Sequence, residues 1–296
     1  GCSCCRRAEY LDADRGRCDA PEHGADAAGV TPKERWEAEH WFDAHVSVFA
    51  IVMPGRDDRL HGMVSRLSEL NIAFNVSPGI DVTSAGSYHA LRESGAVPSH
   101  FDLAEAQRIS RTKMPWWGGI RGTIGCATAH RLAMATAIDN AERTKKPLVL
   151  NFEDDAVLAH DFKVKLYRLV RNEIPCDWEV LSLRTRCPHG RCVGDHLLQV
   201  SPIRDLPDNT CRHGSNMGTL GMMYQADALP RIRALLKHHQ WYSWAPLCLD
   251  IDVALTYIAD KVPYYAVPNS LEPGFIWDDD TASARCAVNR LGDANF

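Results

Sequence analysis

The chain has 296 residues, 45% hydrophobic and 24% charged, the composition of an ordinary soluble globular protein with room for one large α/β domain or two small ones. Its net charge of −5 argues against nucleic acid as the main partner, because phosphate binding leaves a basic footprint. No apolar run approaches the length of a membrane span; the longest candidate, Val46 to Met53, is a strand's length.

The eleven cysteines are an odd number, and Cys2, Cys4, Cys5 and Cys18 crowd the N-terminal end. Cysteine usage leans toward maturation in an ER or Golgi lumen, with a cytoplasmic chain left open, and the sequon Asn75-Val76-Ser77 is compatible with the lumen. The chain starts at Gly1 and shows no signal-peptide pattern, which a processed or truncated chain would explain. Residues 1–44 read as a Cys-rich N-terminal extension with one short helical pattern at Lys33–Phe42, and residues 45–296 as a single domain.

In chain order, Val46–Met53 predicts a buried strand, broken by Pro54-Gly55. Asp57 or Asp58 can cap the next helix, whose Leu60, Met63, Val64, Leu67 and Leu70 keep the spacing of one apolar face. Ile72–Val76 predicts a second strand, so a parallel βαβ unit is expected. After an irregular stretch come a helix at Leu103–Arg111, a loop at Trp116–Gly119 and a long helix at Thr123–Lys145. Leu148–Phe152 is a strand, followed by an amphipathic helix carrying Phe162, Leu166, Leu169 and Val170. Strands at Trp178–Leu183, Leu197–Val200, Leu220–Tyr224 and Tyr264–Val267 and helices at Asp227–His238 and Leu249–Ile258 complete an α/β chain with a mostly parallel central sheet flanked by helices.

Between the apolar runs Leu148–Phe152 and Ala156–Leu158 stand three acids, Glu153-Asp154-Asp155. In open α/β sheets ligands bind beyond the carboxyl ends of strands, and this triplet sits at such an end. Packed carboxylates repel unless a cation neutralises them, and an all-oxygen set suits Mg²⁺ or Mn²⁺. On extended backbone Glu153 and Asp155 point one way and Asp154 the other. The alternative is that Asp154 and Asp155 cap a helix at Ala159–Arg171.

The block Thr123-Ile124-Gly125-Cys126-Ala127-Thr128-Ala129-His130, followed after a helix by Val149-Leu150-Asn151-Phe152-Glu153-Asp154-Asp155, resembles family 25 glycosyltransferases. These include bacterial lipooligosaccharide galactosyltransferases and procollagen galactosyltransferases. Ile51–Arg59 is similar to the family's opening strand and turn, Leu220–Leu236 to a later strand and helix, and Leu247–Asp252 to its Pro-Val-Asp segment. The resemblance covers about residues 45–270. The chain departs from the family pattern at Thr123 (usually Glu), Ala129 (usually Ser) and Met53-Pro54 (usually Asn-Leu).

The resemblance implies a GT-A-like nucleotide-sugar-binding fold and a UDP-sugar donor, with galactose or glucose as the sugar. It also implies a glycan or glycoprotein acceptor, inverting transfer, and Mn²⁺ or Mg²⁺ at Glu153 and Asp155. Asp252, with Asp250 as rival, is the candidate general base, though an Asp pair before an apolar helix is often only a cap. Arg59, Gly125, His130 and Asp154 are candidate donor-binding residues; Arg59 on a solvated helix face and His130 as a structural histidine are the plainer alternatives.

The Cys187-x₄-Cys192 and Cys211-x-His213 spacings fit a disulfide or loop thiols better than zinc. Trp277-Asp278-Asp279-Asp280 reads as a solvated acidic tail or a second wall of a cleft. Trp116-Trp117 and Trp241–Trp244 read as core anchors or a sugar-stacking platform. The rivals to a transferase are a glycoside hydrolase, a metal-dependent phosphohydrolase and a catalytically silent sugar-binding homologue.

Overall fold

The computed structural model describes residues 29–82, 84–113, 119–185, 190–194, 196–202, 218–242, 249–268 and 274–278. Eight strands form one sheet: β1 (Val46–Val52), β2 (Asn75–Pro78), β3 (Leu148–Glu153), β5 (Val180–Thr185), β6 (Gly190–Cys192), β7 (Leu198–Val200), β8 (Gly221–Gln225) and β9 (Tyr264–Pro268). Their order is β2-β1-β3-β8-β5-β9-β7-β6. β1 pairs in parallel with β2 and β3, and β5 with β9, while β8 and β7 run against their neighbours. A short second sheet joins β4 (Ala156–Leu158) to β10 (Ile276–Asp278) antiparallel.

Alternation along the buried strands divides the core between two faces. On one side Val48, Ala50, Leu150 and Phe152 pack with α1 (Pro32–His45), α2 (Asp57–Glu69) and α6 (Phe162–Asn172). On the other, Phe49, Val149, Met222 and Tyr224 pack with α5 (Ile120–Thr144), α7 (Leu229–Tyr242) and α8 (Ile251–Tyr257). The result is an α/β three-layer arrangement with both sheet faces covered. Two more helices, α3 (Ala85–Glu93) and α4 (Leu103–Lys113), lie between β2 and α5 in the chain.

The expected βαβ unit is present, with its second strand starting at Asn75 rather than Ile72. α2 presents a narrower apolar stripe than its spacing implies: Met63 and Leu67 are buried, whereas Val64 is 43% exposed. Asp57 and Asp58 lie in its first turn, where the helix dipole favours them, but no side chain caps it. α1 packs into the main fold through Ala38 and Phe42, and Arg168 on α6 grips Glu34 with two hydrogen bonds of 2.7 Å. α3, β4, β6 and β10 were not expected from sequence. Each is short, and β4 and β10 exist only by pairing with each other across more than a hundred residues.

The packing predicts a contrast. Leu150→Ala, at a fully buried site in β3, is expected to cost about 2–5 kcal/mol. Val64→Ala is expected to cost under about 0.5 kcal/mol. Denaturant titration of both variants checks it, and a large loss for Val64→Ala would contradict the assigned face of α2.

Candidate active site at the end of β3

β3 is an interior strand, flanked by β1 and β8, and its last residue Glu153 points toward α5. There His130, 1% exposed, meets Glu153 Oε1 from Nε2 at 3.0 Å. Nδ1 of His130 has no partner, so the Glu153 contact places the proton on Nε2. Thr219 donates its hydroxyl to the same carboxylate oxygen.

Asp154 lies in the turn between β3 and β4 and faces the β1–α2 turn. Its carboxylate accepts from the Met53 backbone N–H at 3.3 Å and lies 3.7 Å from Arg59 Nη1. Its carbonyl accepts from Arg66 Nη2 at 2.7 Å. Asp154 and Arg59 therefore tie the β1–α2 turn to the end of β3.

Asp155 is the second residue of the turn between β3 and β4. Its Oδ1 is buried without a hydrogen-bond partner. Burial, then the charges of Glu153 and Asp154, push its carboxyl up to about 6, against a smaller downward pull from Arg59. The helix-cap alternative for the triplet does not hold, because β4 intervenes and the N-cap position of the following helix is Asp161.

Asp252 stands in the first turn of α8 and is held by two backbone N–H donors, Gly218 at 3.0 Å and Val253 at 2.8 Å. Burial raises its carboxyl, and the charge of Glu153 adds to the rise, which places the two carboxylates in one electrostatic neighbourhood. Asp250 occupies the N-cap position of α8 but its side chain makes no capping hydrogen bond.

Cys126, one helical turn before His130 on α5, lies among these acids. It presents surface to solvent although protein surrounds it closely. That enclosure, with the charges of Glu153, Asp250, Asp252 and Asp155, holds its thiol well above the ordinary value. Glu153, Asp155, Asp250 and Asp252, separated by up to about a hundred residues in sequence, thus converge on one place.

Gly125 is buried one residue before Cys126. A Cβ there would lie 2.4 Å from the Ile80 carbonyl oxygen, so glycine lets α5 approach the segment after β2. This gives Gly125 a packing role. Of the two departures from the family block, Thr123 is buried on α5, and Ala129 packs with Ile51 and Ala133.

Sequence reasoning missed the segment before β8. Gly218 holds Asp252, Thr219 holds Glu153, and the Leu220 carbonyl accepts from the Glu153 N–H at 3.1 Å. No local pattern marks these residues. Cys126 and His130 had a readable signal, their four-residue spacing on one helix face. Trp241 is buried at the end of α7 with its ring edge-on to Phe101, as the core-anchor alternative has it. Trp277, expected in an acidic tail, lies in β10 opposite Val157 and is exposed. Cys192 is disulfide-bonded. Cys2, Cys4, Cys5, Cys18, Trp116, Trp117, Cys187, Cys211, His213, Trp244, Asp279 and Asp280 lie outside the described residues.

No family model matches the chain. Human procollagen galactosyltransferase 2 is 28% identical over 138 residues, 46% of this chain and 20% of that protein. The chain thus spans about a fifth of the length of the curated relative it matches. Among solved structures, a glycosyltransferase involved in the glycosylation of the major capsid of PBCV-1 is similar over 84% of this chain and 99% of its own, at 9% identity and a TM-score of 0.39. Mouse xyloside xylosyltransferase 1 is similar over 75% of this chain and 85% of its own, at 10% identity and a TM-score of 0.38. At those scores the structural likeness carries no argument about chemistry. No helix among the described residues is long and apolar enough to cross a membrane.

Two outcomes are expected. In chelator, Asp155→Asn should raise the melting temperature at pH 7. The folded carboxyl titrates above its unfolded value of 3.8, so its contribution to stability is greatest below that value and is lost as pH rises through about 6. The gain from Asn should therefore shrink as the pH is lowered through 6 toward 3.8, and a pH-independent gain would contradict the crowding. Gly125→Ala should lose about 1–3 kcal/mol of stability, measured by denaturant titration, because the backbone of Ile80 must move.

Proposed function

We propose that this chain is a metal-dependent glycosyltransferase of the family 25 type, with a GT-A-like fold, moving a hexose from a UDP-sugar to a hydroxyl of a glycan or glycoprotein acceptor with inversion. The observation that carries this reading is the carboxylate group at the end of β3, with Asp155 Oδ1 buried and unpartnered beside Glu153. The partial sequence similarity to a procollagen galactosyltransferase supports the sugar-transfer class.

The residues fit a hard divalent cation. An unsatisfied buried carboxylate oxygen, pushed up by neighbouring negative charge, is the deficiency that a cation corrects. Glu153 and Asp155 would hold Mn²⁺ or Mg²⁺. When bound there, the ion supplies positive charge against the charge that develops on the departing diphosphate.

The chain's own residues do the rest. His130 and Thr219 fix the Glu153 carboxylate by hydrogen bonding to one of its oxygens. Asp154 and Arg59 hold the β1–α2 turn at the edge of the site. Asp252 takes the proton of the acceptor hydroxyl as that oxygen bonds to the anomeric carbon and the sugar–phosphate bond breaks. Its raised carboxyl suits a base working nearer neutral pH, and its two backbone donors fix its orientation.

UDP release from a panel of UDP-sugars tests the reading. One donor is expected to give release that needs Mn²⁺ or Mg²⁺, is abolished by chelator, and falls at least about 100-fold in Asp155→Ala. UDP binding in Mn²⁺ without turnover would identify a silent homologue. Glycoside cleavage without UDP consumption would identify a hydrolase.

A further inference from the structure

Beside Glu153 stand two metal-ligating side chains that the proposed oxygen-ligated ion would not use, Cys126 and His130. Cys126 and His130 stand one turn apart on the same face of α5, and Glu153 meets them from β3. One ligand atom from each, thiol, imidazole and carboxylate, lies within 4.8 Å of the other two, the one such group of three among the described residues. Tetrahedral zinc, with bonds of about 2.0–2.3 Å, places its ligand atoms roughly 3.3–3.8 Å apart. The His130–Glu153 pair, now 3.0 Å apart, has to open slightly and Cys126 has to close in, shifts of the order of an ångström.

We propose that Cys126, His130 and Glu153 form a site for a thiophilic divalent cation of the Zn²⁺ type, and that filling it blocks transfer by withdrawing Glu153 from the oxygen-ligated ion. Thiolate and imidazole donors favour zinc over magnesium or manganese, whereas Glu153 with Asp155 offers oxygen alone. One carboxylate cannot serve both arrangements in full. The fourth position is left to water, as in three-ligand zinc sites. On binding, the Cys126 thiol releases its proton to solvent, and the His130 proton moves from Nε2 to Nδ1 as Nε2 becomes a ligand. Thr219 stays on Glu153 as outer support. The binding half of the proposal stands on these three residues alone; the inhibitory half rests on the transferase reading.

The test uses the full chain, stripped by chelator and titrated with Co²⁺ as a spectroscopic probe for zinc. A thiolate-to-cobalt charge-transfer band with tetrahedral visible bands is expected at one equivalent, bleached by Zn²⁺. Cys126→Ser should lose the charge-transfer band, and His130→Asn should weaken Co²⁺ binding at least about tenfold. Circular dichroism confirms that each variant is folded, so either one suffices. With Mn²⁺ and the active donor, Zn²⁺ should suppress UDP release, and Cys126→Ser should raise the half-inhibitory Zn²⁺ concentration at least about tenfold. An unchanged band in folded Cys126→Ser, or its absence in wild type that still releases UDP, overturns the site. Equal zinc sensitivity in wild type and Cys126→Ser overturns the inhibitory half. A band lost in Cys126→Ser, with no donor turned over, supports the site and removes the transferase reading.

Discussion

Like charges gathered at the end of a buried strand repel, and burial takes away the water that would weaken the repulsion. At the end of β3 the fold accepts that cost several times over. Glu153 ends the strand, Asp155 follows in the turn, Asp252 comes from the start of α8, and Asp250 stands just before it. Hydrogen bonds offset part of the cost: His130 and Thr219 on Glu153, Gly218 and Val253 on Asp252. Asp155 Oδ1 receives no hydrogen bond, and burial, then the charges of Glu153 and Asp154, push its carboxyl up. A protein under selection for stability alone would not keep this arrangement, since neutral side chains would remove the repulsion. The cation proposed for this site would give it a reason.

The three consecutive acids do not share one task. Asp154 stands in the turn after β3 and is turned toward α2, where Met53, Arg59 and the Arg66 contact to its carbonyl hold it. That residue joins the β1–α2 turn to β3 and so fixes one wall of the site. Glu153 faces α5 and is hydrogen-bonded by His130 and Thr219, whereas Asp155 Oδ1 is buried without a partner. The turn between β3 and β4 thus separates a structural carboxylate, Asp154, from Asp155, whose Oδ1 is left without a partner.

α5 is the second wall, and a glycine sets its distance. With no Cβ at Gly125, the helix lies against the carbonyl of Ile80, and the next turn brings Cys126 and His130 to Glu153. The outcome is a carboxylate with two sets of neighbours, oxygen on one side, sulfur and nitrogen on the other. On the two-cation proposal, such a carboxylate would respond to which ion is present as well as to whether one is present.

Periodicity by itself determined β1, α2, α5, β3 and α6, the βαβ unit, the α/β class, and the position of the acids at the end of a buried strand, since each follows from the spacing of apolar residues within one segment. The expected extended backbone through the triplet does not hold past Glu153, because Asp154 and Asp155 form the turn between β3 and β4. Only the tertiary structure decided that β8 enters antiparallel between β3 and β5 and that β4 finds β10. The helix-cap alternative for the triplet fell for the same reason: the pairing of β4 with β10 keeps the chain extended past Asp155, which no local pattern showed. Likewise Thr219 and Gly218, which hold Glu153 and Asp252, stand in no recognisable motif, and Cys126 carried no sign that four carboxylates would surround it. Local spacing fixes which way a side chain leaves its own backbone; which partners it meets depends on contacts between segments far apart in the chain, and those are set only when the sheet and its flanking helices close around one core.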